Sequence, residues 1–339
     1  MLATLCVTEI TSWGVLYYAF TVLSAQICVD TGWSAPAVTA AFSAALVTSA
    51  LAGIVVGRWL DRYGPRWIMT IGSVLGVLAV LAVVAAPNYP CFVAAWVFAG
   101  FAMSAVFYAP AFAAVTRFFA HDAVRALTAL TLVAGFASTV FAPLTAVLSD
   151  HLSWRETYLA LAAVLAVVTV PAHLLGLRRA WPPLSVPHAL EAPTRAVRSR
   201  PFVALTVSFA LAALASYAVV VNLVPLMSQR GISTSAAAVA LGLGGAGQVR
   251  GIMTLLQATA VTERRGPTHY GRLSGWLSAP IMISTALGPF VGAALATMLH
   301  GYATMFLALG AIATLAAACA AATSTDREPI IGHIMTGER

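Results

Sequence analysis

Ten stretches of this sequence are each long and apolar enough to cross a bilayer: 2–28, 36–57, 67–86, 91–116, 126–148, 156–177, 201–227, 236–261, 273–298 and 303–323. A hydrocarbon core about 30 Å thick takes about 20 residues of helix. Lipid offers no partner to a backbone N–H or C=O, so runs of this length are expected to be helices. The alternating ten-residue pattern of a membrane barrel does not occur in the sequence. Composition agrees, because only 9% of the 339 residues are charged, against about 25% in ordinary soluble domains. That leaves too little polar side chain to coat a water-facing surface. It argues against a soluble enzyme, a disordered chain and a nucleic-acid binder.

The net charge of +7 comes from 18 arginines and no lysine. Ten spans put both termini on one side. Fifteen arginines then fall on that side: Arg58, Arg62, Arg66, Arg117, Arg125, Arg178, Arg179, Arg195, Arg198, Arg200, Arg264, Arg265, Arg272, Arg327 and Arg339. Arg155 and Arg230 fall on the other, and Arg250 lies within the eighth span. The positive-inside bias therefore predicts a multi-pass protein of the cell (inner) membrane with both termini cytoplasmic. Basic charge spread over membrane-proximal loops also removes nucleic acid as a partner. The first span has neither a basic n-region nor an A-x-A site, so a retained helix is expected rather than a signal peptide. Residues 178–200, with Pro182, Pro183, Pro187, Pro193 and five arginines, read as a cytoplasmic linker, and 324–339 as a polar tail. Cys6, Cys28, Cys91 and Cys319 show no CxxC spacing and read as small buried hydrophobes. No metal site, disulfide framework or cofactor is implied.

The segment after the second span reads Gly57-Arg58-Trp59-Leu60-Asp61-Arg62-Tyr63-Gly64-Pro65-Arg66. It resembles the G-x-x-x-D-R-x-G-R signature between the second and third helices of the major facilitator superfamily. Gly32-Trp33-Ser34 and Trp154-Arg155 are also similar to that family. The resemblance implies an all-α, polytopic membrane protein with a two-bundle fold, acting as a secondary transporter by rocking about a central cavity. Family members of this kind have twelve spans, and this chain shows about ten, six plus four. An internal repeat locates the difference. Gly32-Trp33-Ser34 matches Gly231-Ile232-Ser233 at an offset of 199, and Ala142-Pro143-Leu144 matches Gly288-Pro289-Phe290 at an offset of 146. The difference, 199 − 146 = 53 residues, is room for two helices with short turns. The expected units are a six-helix bundle over 1–177, the linker 178–200, a shortened four-helix bundle over 201–323 and the tail 324–339. The second bundle would lack the counterpart of about 49–104, which is the end of the second helix, the motif segment, the third helix and the start of the fourth, with the junction near 247–251.

The resemblance makes Gly57, Asp61, Arg62, Gly64 and Arg66 a cytoplasmic gate motif. Within it Asp61 would sit at the positive N-terminus of a neighbouring helix, the one beginning near Arg272, and the two glycines would permit a close turn. Arg250 within a span costs roughly 2.5–3.5 kcal/mol on insertion scales and is expected to face protein or a wet cavity. Its guanidinium suits carboxylate or phosphate, so an anionic solute is one expected class. Glu9 within the first span offers a carboxyl of the kind a coupling proton needs. Tyr17, Tyr18, Tyr108, Asn222, Gln248 and Gln257 could line a polar cavity. The run Gly242 to Gly247 matches G-x-G-x-x-G, but nothing around it alternates like a strand. It reads as helix packing, as do Gly53 with Gly57, Gly72 with Gly76 and Gly288 with Gly292.

Two features of drug exporters in the family are missing: an arginine in 91–116, and the glycines of the fifth-helix pattern at Ser138–Val147. Ser12-Trp13-Gly14 and Tyr17-Tyr18 look like monocarboxylate-type members, without their helix-eight acid and arginine. The expected function is transport of a small organic solute, with a coupling proton and the bilayer as further partners, by a monomer. The rival readings are a transport-inactive remnant and a drug or metabolite efflux antiporter. Nothing in the sequence marks a catalytic residue, so an enzyme is not expected.

Overall fold

The computed structural model describes residues 1–119, 122–181, 199–246 and 270–321. The side chains of Ile54, Arg58, Asp61 and residues 244–246, 270–276 and 278–279 are excepted. The described residues form ten helices and no strand. They are α1 Leu2–Thr31, α2 Ala35–Tyr63, α3 Pro65–Ala85, α4 Tyr89–Phe118 and α5 Ala123–Ser149. After them come α6 Trp154–Gly176, α7 Arg200–Gln229, α8 Thr234–Ala246, α9 Tyr270–Met298 and α10 Tyr302–Ala321. Nine are long and apolar enough to cross a membrane. The tenth, α8, is shorter, and the expected rest of its span, 247–261, lies outside the described residues, as do most of the linker and the tail.

Local chemistry sets the helix ends. Ser34 accepts a hydrogen bond from the Ala37 N–H, 3.3 Å, and Pro36 occupies the first turn of α2. Ser153 and Glu156 form a reciprocal capping box at the start of α6. Helix α2 runs on to Tyr63 instead of stopping near 57, because Arg58 to Tyr63 contains neither glycine nor proline. Gly64, at φ +78°, makes the turn alone, and Pro65 opens α3. Three helices depart from regular α geometry. Helix α1 carries a π-helical turn at Gly14–Tyr18. In α4 the chain breaks at Phe107, where Pro110 lacks the N–H that would bond the Val106 carbonyl. A short break at Gly135-Phe136 divides α5.

The packing shows two bundles. Helix α1 packs on α5 and α6, and α7 packs in the same way on α9 and α10. The bundles meet through α2 against α9 and α5 against α8. The internal repeat is visible in detail. Gly32 at φ +71° precedes the Ser34 cap, and Gly231 at φ +81° precedes Ser233, which caps the Ala236 N–H at 3.2 Å. At the two bundle contacts, Thr139 Oγ1 donates to the Gly242 carbonyl, 2.7 Å, and the Phe290 N–H donates to Ser43 Oγ, 3.2 Å. Since 242 − 199 = 43, Ser43 and Gly242 are the same point of the repeat, while their partners differ by five residues within it (290 − 146 = 144, against 139). Helices α7 and α8 thus stand where α1 and α2 stand, and α9 and α10 where α5 and α6 stand. No described helix takes the places of α3 and α4.

Small residues hold α3 and α9 close to their neighbours. A Cβ on Gly72 would lie 2.5 Å from Ala105, and one on Gly292 would lie 2.5 Å from the Asn222 amide. The expected Gly53–Gly57 packing is not seen among the described residues, where a Cβ at either meets nothing within 4 Å. Gly53 borders a cavity instead. Of the cysteines expected to be buried only Cys6 is; Cys28 and Cys319 are half-buried, Cys91 near the start of α4 is exposed, and all four are free.

Candidate functional site

A cavity of about 310 Å³ lies where the bundles face each other, walled by α1, α2, α4, α7 and α9. Aromatic rings from three helices form much of the wall, among them Trp13, Tyr108 and Tyr217, and Ser49, Ser104, Ser216 and Thr285 add hydroxyls. The helix defects help to shape it. The break at Phe107 brings that ring into a stack on Trp13, with centroids 4.1 Å apart, while Tyr108 stands 5.2 Å from Trp13. The π turn of α1 begins immediately after Trp13. It widens the helix by one residue, a feature common where a helix meets a site. Its Gly14 is required by packing, since a Cβ there would lie 2.2 Å from the Phe141 ring.

The lining residues come from the middle of these helices and from the half of α2 and α4 that leads to their arginine-bearing ends. Beyond the cavity, towards the other end, aromatic rings close the space between bundles. Tyr17 meets Phe42 at 5.2 Å and Tyr217 at 5.8 Å, and Phe42 stacks on Phe20 at 4.1 Å. Further out, Ser235 of α8 donates to Asp150 Oδ2, 2.6 Å, just past α5. A second cavity of about 380 Å³ lies on that side, bordered by Ser24, Cys28, Thr39, Asn222, Gln229 and Tyr302.

The expected cavity residues separate accordingly. Tyr108 lines the central cavity. Glu9 is fully buried immediately behind it, and its Oε2 accepts from the Trp13 indole N–H, 3.1 Å. Oε1 of Glu9 has no hydrogen-bond partner among the described residues. Tyr17 belongs to the aromatic seal, and Asn222 borders the second cavity while its amide donates to the Ala218 carbonyl, 2.8 Å. Gln248, Arg250 and Gln257 lie outside the described residues.

Of the gate motif, Gly57 lies inside α2 rather than in a loop, and only Gly64 serves the turn. Arg62 is exposed beside the Tyr63 ring. The Arg66 Nε donates to the Leu174 carbonyl, 2.9 Å, tying the start of α3 to the end of α6. Asp61 falls in the last turn of α2, and its side chain lies outside the described residues.

Sequence reasoning missed three arrangements. Trp181, at the start of the linker, packs over Gly64 and under the Arg117 guanidinium, 4.3 Å from its ring. Its only sequence signal is a lone aromatic among arginines and prolines. Asp30 accepts from the Trp154 indole, 2.9 Å, and pairs with Arg155, so the tryptophan and arginine singled out in sequence serve to join α1 to α6. Ser73 Oγ and His173 Nδ1, 2.8 Å apart, join α3 to α6 inside the first bundle. Residues about 100 positions apart give no periodic signal that they meet.

Comparison with known proteins agrees with this architecture. Among solved structures, the chain is similar to a bacterial homologue of the human lysosomal transporter Spinster in an inward-facing and occupied conformation. That match has a TM-score of 0.60 at 16% identity, over 93% of this chain and 78% of that one. It is also similar to the nucleoside transporter NupG, with a TM-score of 0.63 at 12% identity, over 96% of this chain and 100% of that one. At these identities the likeness is one of fold. No curated protein matches the sequence. Residues 5–255 match the family described as Major Facilitator Superfamily. With two packed bundles of apolar helices and a cavity between them, this chain belongs to the major facilitator superfamily and is a multi-pass membrane protein of the transporter type.

Proposed function

We propose that the protein moves a small organic solute by alternating access through the central cavity, in the cell membrane with its arginine-rich end cytoplasmic. The observation that carries this reading is the position of the cavity. Its wall takes residues from both bundles, so any rocking of one against the other changes its exposure. The described conformation supports access from the arginine-rich end, because the aromatic seal and the Asp150–Ser235 bond close the opposite side. In this scheme the units are 1–177 and 201–323, joined by 178–200, and a monomer suffices. The gate motif Gly57, Asp61, Arg62, Gly64 and Arg66 acts at the cytoplasmic end, and Glu9 takes the coupling proton.

The bundle contacts also bear on the inactive-remnant alternative. The two most extensive cross-bundle pairs among the described helices, α2 with α9 and α5 with α8, are present alongside the shortened second half. A rocking motion needs such contacts between the bundles, which favours a working transporter. The anionic reading of the solute rests on Arg250 alone.

Uptake into proteoliposomes tests the proposal, with a panel of radiolabelled organic solutes under pH gradients of either sign. Wild type is expected to accumulate at least one of them. Ala213→Trp, which fills the cavity, and Asp61→Asn are expected to lower the rate about tenfold or more, a loss of about 1.4 kcal/mol or more. Arg230→Gln, exposed at the far end, leaves it unchanged. Folded protein that moves none of the panel in either gradient, or Ala213→Trp that transports normally, contradicts the reading.

A further inference from the structure

The chemistry of the cavity wall says more about its occupant than the fold does. Six rings face or border the space from three helices: Trp13 on α1, Phe107, Tyr108 and Phe112 on α4, and Phe209 and Tyr217 on α7. The other polar lining groups among the described residues are serine and threonine hydroxyls, and no described lining residue carries a charge. The ionisable group behind the wall is acidic. Glu9 is held against Trp13 by the indole N–H, and its second oxygen is buried without a partner among the described residues.

Two of these features, the rings and the buried acid, favour a positive occupant over a negative one. An aromatic ring is negative on its face, so a wall of rings attracts a cation. It also stacks well with a flat ring system. An ionised carboxyl away from water is costly unless a positive charge or a proton compensates it. An organic cation in the cavity supplies that charge from the far side of Trp13. An anion would meet the same carboxyl with nothing described in the wall to offset it.

We infer that the central cavity selects an organic cation with a flat aromatic body, and that Glu9, acting through its position behind Trp13, sets the sign of the charge accepted. The inference rests on the central cavity being the solute site.

Three probes of similar ring size isolate the charge: N-methylquinolinium, neutral 1-naphthol and anionic 1-naphthoate. Their binding to the full-length protein in detergent is measured by titration calorimetry. Wild type is expected to bind N-methylquinolinium about tenfold or more tightly than 1-naphthoate. Glu9→Gln, which keeps an acceptor for the Trp13 indole, is expected to bring the two within about threefold and to leave 1-naphthol unchanged. Preference for 1-naphthoate, discrimination that survives Glu9→Gln, or failure of all three to bind overturns the inference. If Glu9→Gln does not fold, the wild-type ratio of cation to anion decides alone. Ala213→Trp separates the underlying reading. Charge discrimination that persists in this variant places the probes outside the cavity and refutes the site, whereas loss of binding with the anion preferred in wild type refutes only the charge assignment.

Discussion

Single side chains here are read best where space or hydrogen bonding leaves one choice. Gly14 is such a place. An added methyl would enter the Phe141 ring, and overpacking of this kind costs about 1–3 kcal/mol. Gly14→Ala is expected to lower the unfolding temperature in detergent, and Gly14→Ala with Phe141→Leu to recover most of the loss. An unchanged unfolding temperature in the single variant would mean that α1 and α5 do not meet as described. Sequence could not reveal this contact, because 127 residues separate the partners (141 − 14) and nothing about Gly14-Val15 predicts a π turn. The same limit hid Asp30 as the partner of Trp154 and Arg155. By contrast Glu9 and Tyr108 were legible as candidates, since an acid or phenol within a long apolar run is conspicuous whatever it faces. Which of them touches the cavity depends on the rotation of each helix, and that is fixed only by packing. An exposed pair such as Arg155–Asp30 adds at most about 1 kcal/mol, so it orients α6 more than it stabilises the fold.

Helices were the most legible level. Spans follow from length and hydropathy, and their ends from glycine, proline and serine at the expected places. The second span ends at Gly57 as its hydropathy implies, but the helix itself continues through the charged run Arg58 to Arg62. Charge does not stop a helix, and Gly64 does. The repeat makes a prediction at this scale. Ser34 and Ser233 cap the second helix of each bundle in the same way, and loss of such a cap costs about 1 kcal/mol. Ser34→Ala and Ser233→Ala are each expected to destabilise by that amount. Gly32→Ala and Gly231→Ala, at left-handed positions, are each expected to cost about 1–2 kcal/mol. Thermal unfolding of the four variants checks the match. Large losses in the first bundle with none in the second would break the equivalence between α2 and α8.

At the scale of the molecule, the ten described helices pack as two bundles that touch each other. Helices α2 and α9, and α5 and α8, meet through contacts whose α2 and α8 members, Ser43 and Gly242, are equivalent in an interrupted repeat. That organisation was readable because two short motifs repeat at two different offsets, as a shortened second half would give. The cavity between the bundles was not readable, because it is made of residues from five helices at once. Its central property is exposure to alternate sides, and labelling measures that without knowledge of the solute. Ser216→Cys places a thiol on the cavity wall in a chain whose four native cysteines are replaced by alanine. A membrane-impermeant maleimide is then applied to oriented vesicles from each side. Labelling from both sides is expected. Oxidising an added pair, Asp150→Cys with Ser235→Cys, is expected to abolish labelling from the far side and spare labelling from the arginine-rich side. Labelling from one side only, whether or not the pair is oxidised, would contradict alternating access.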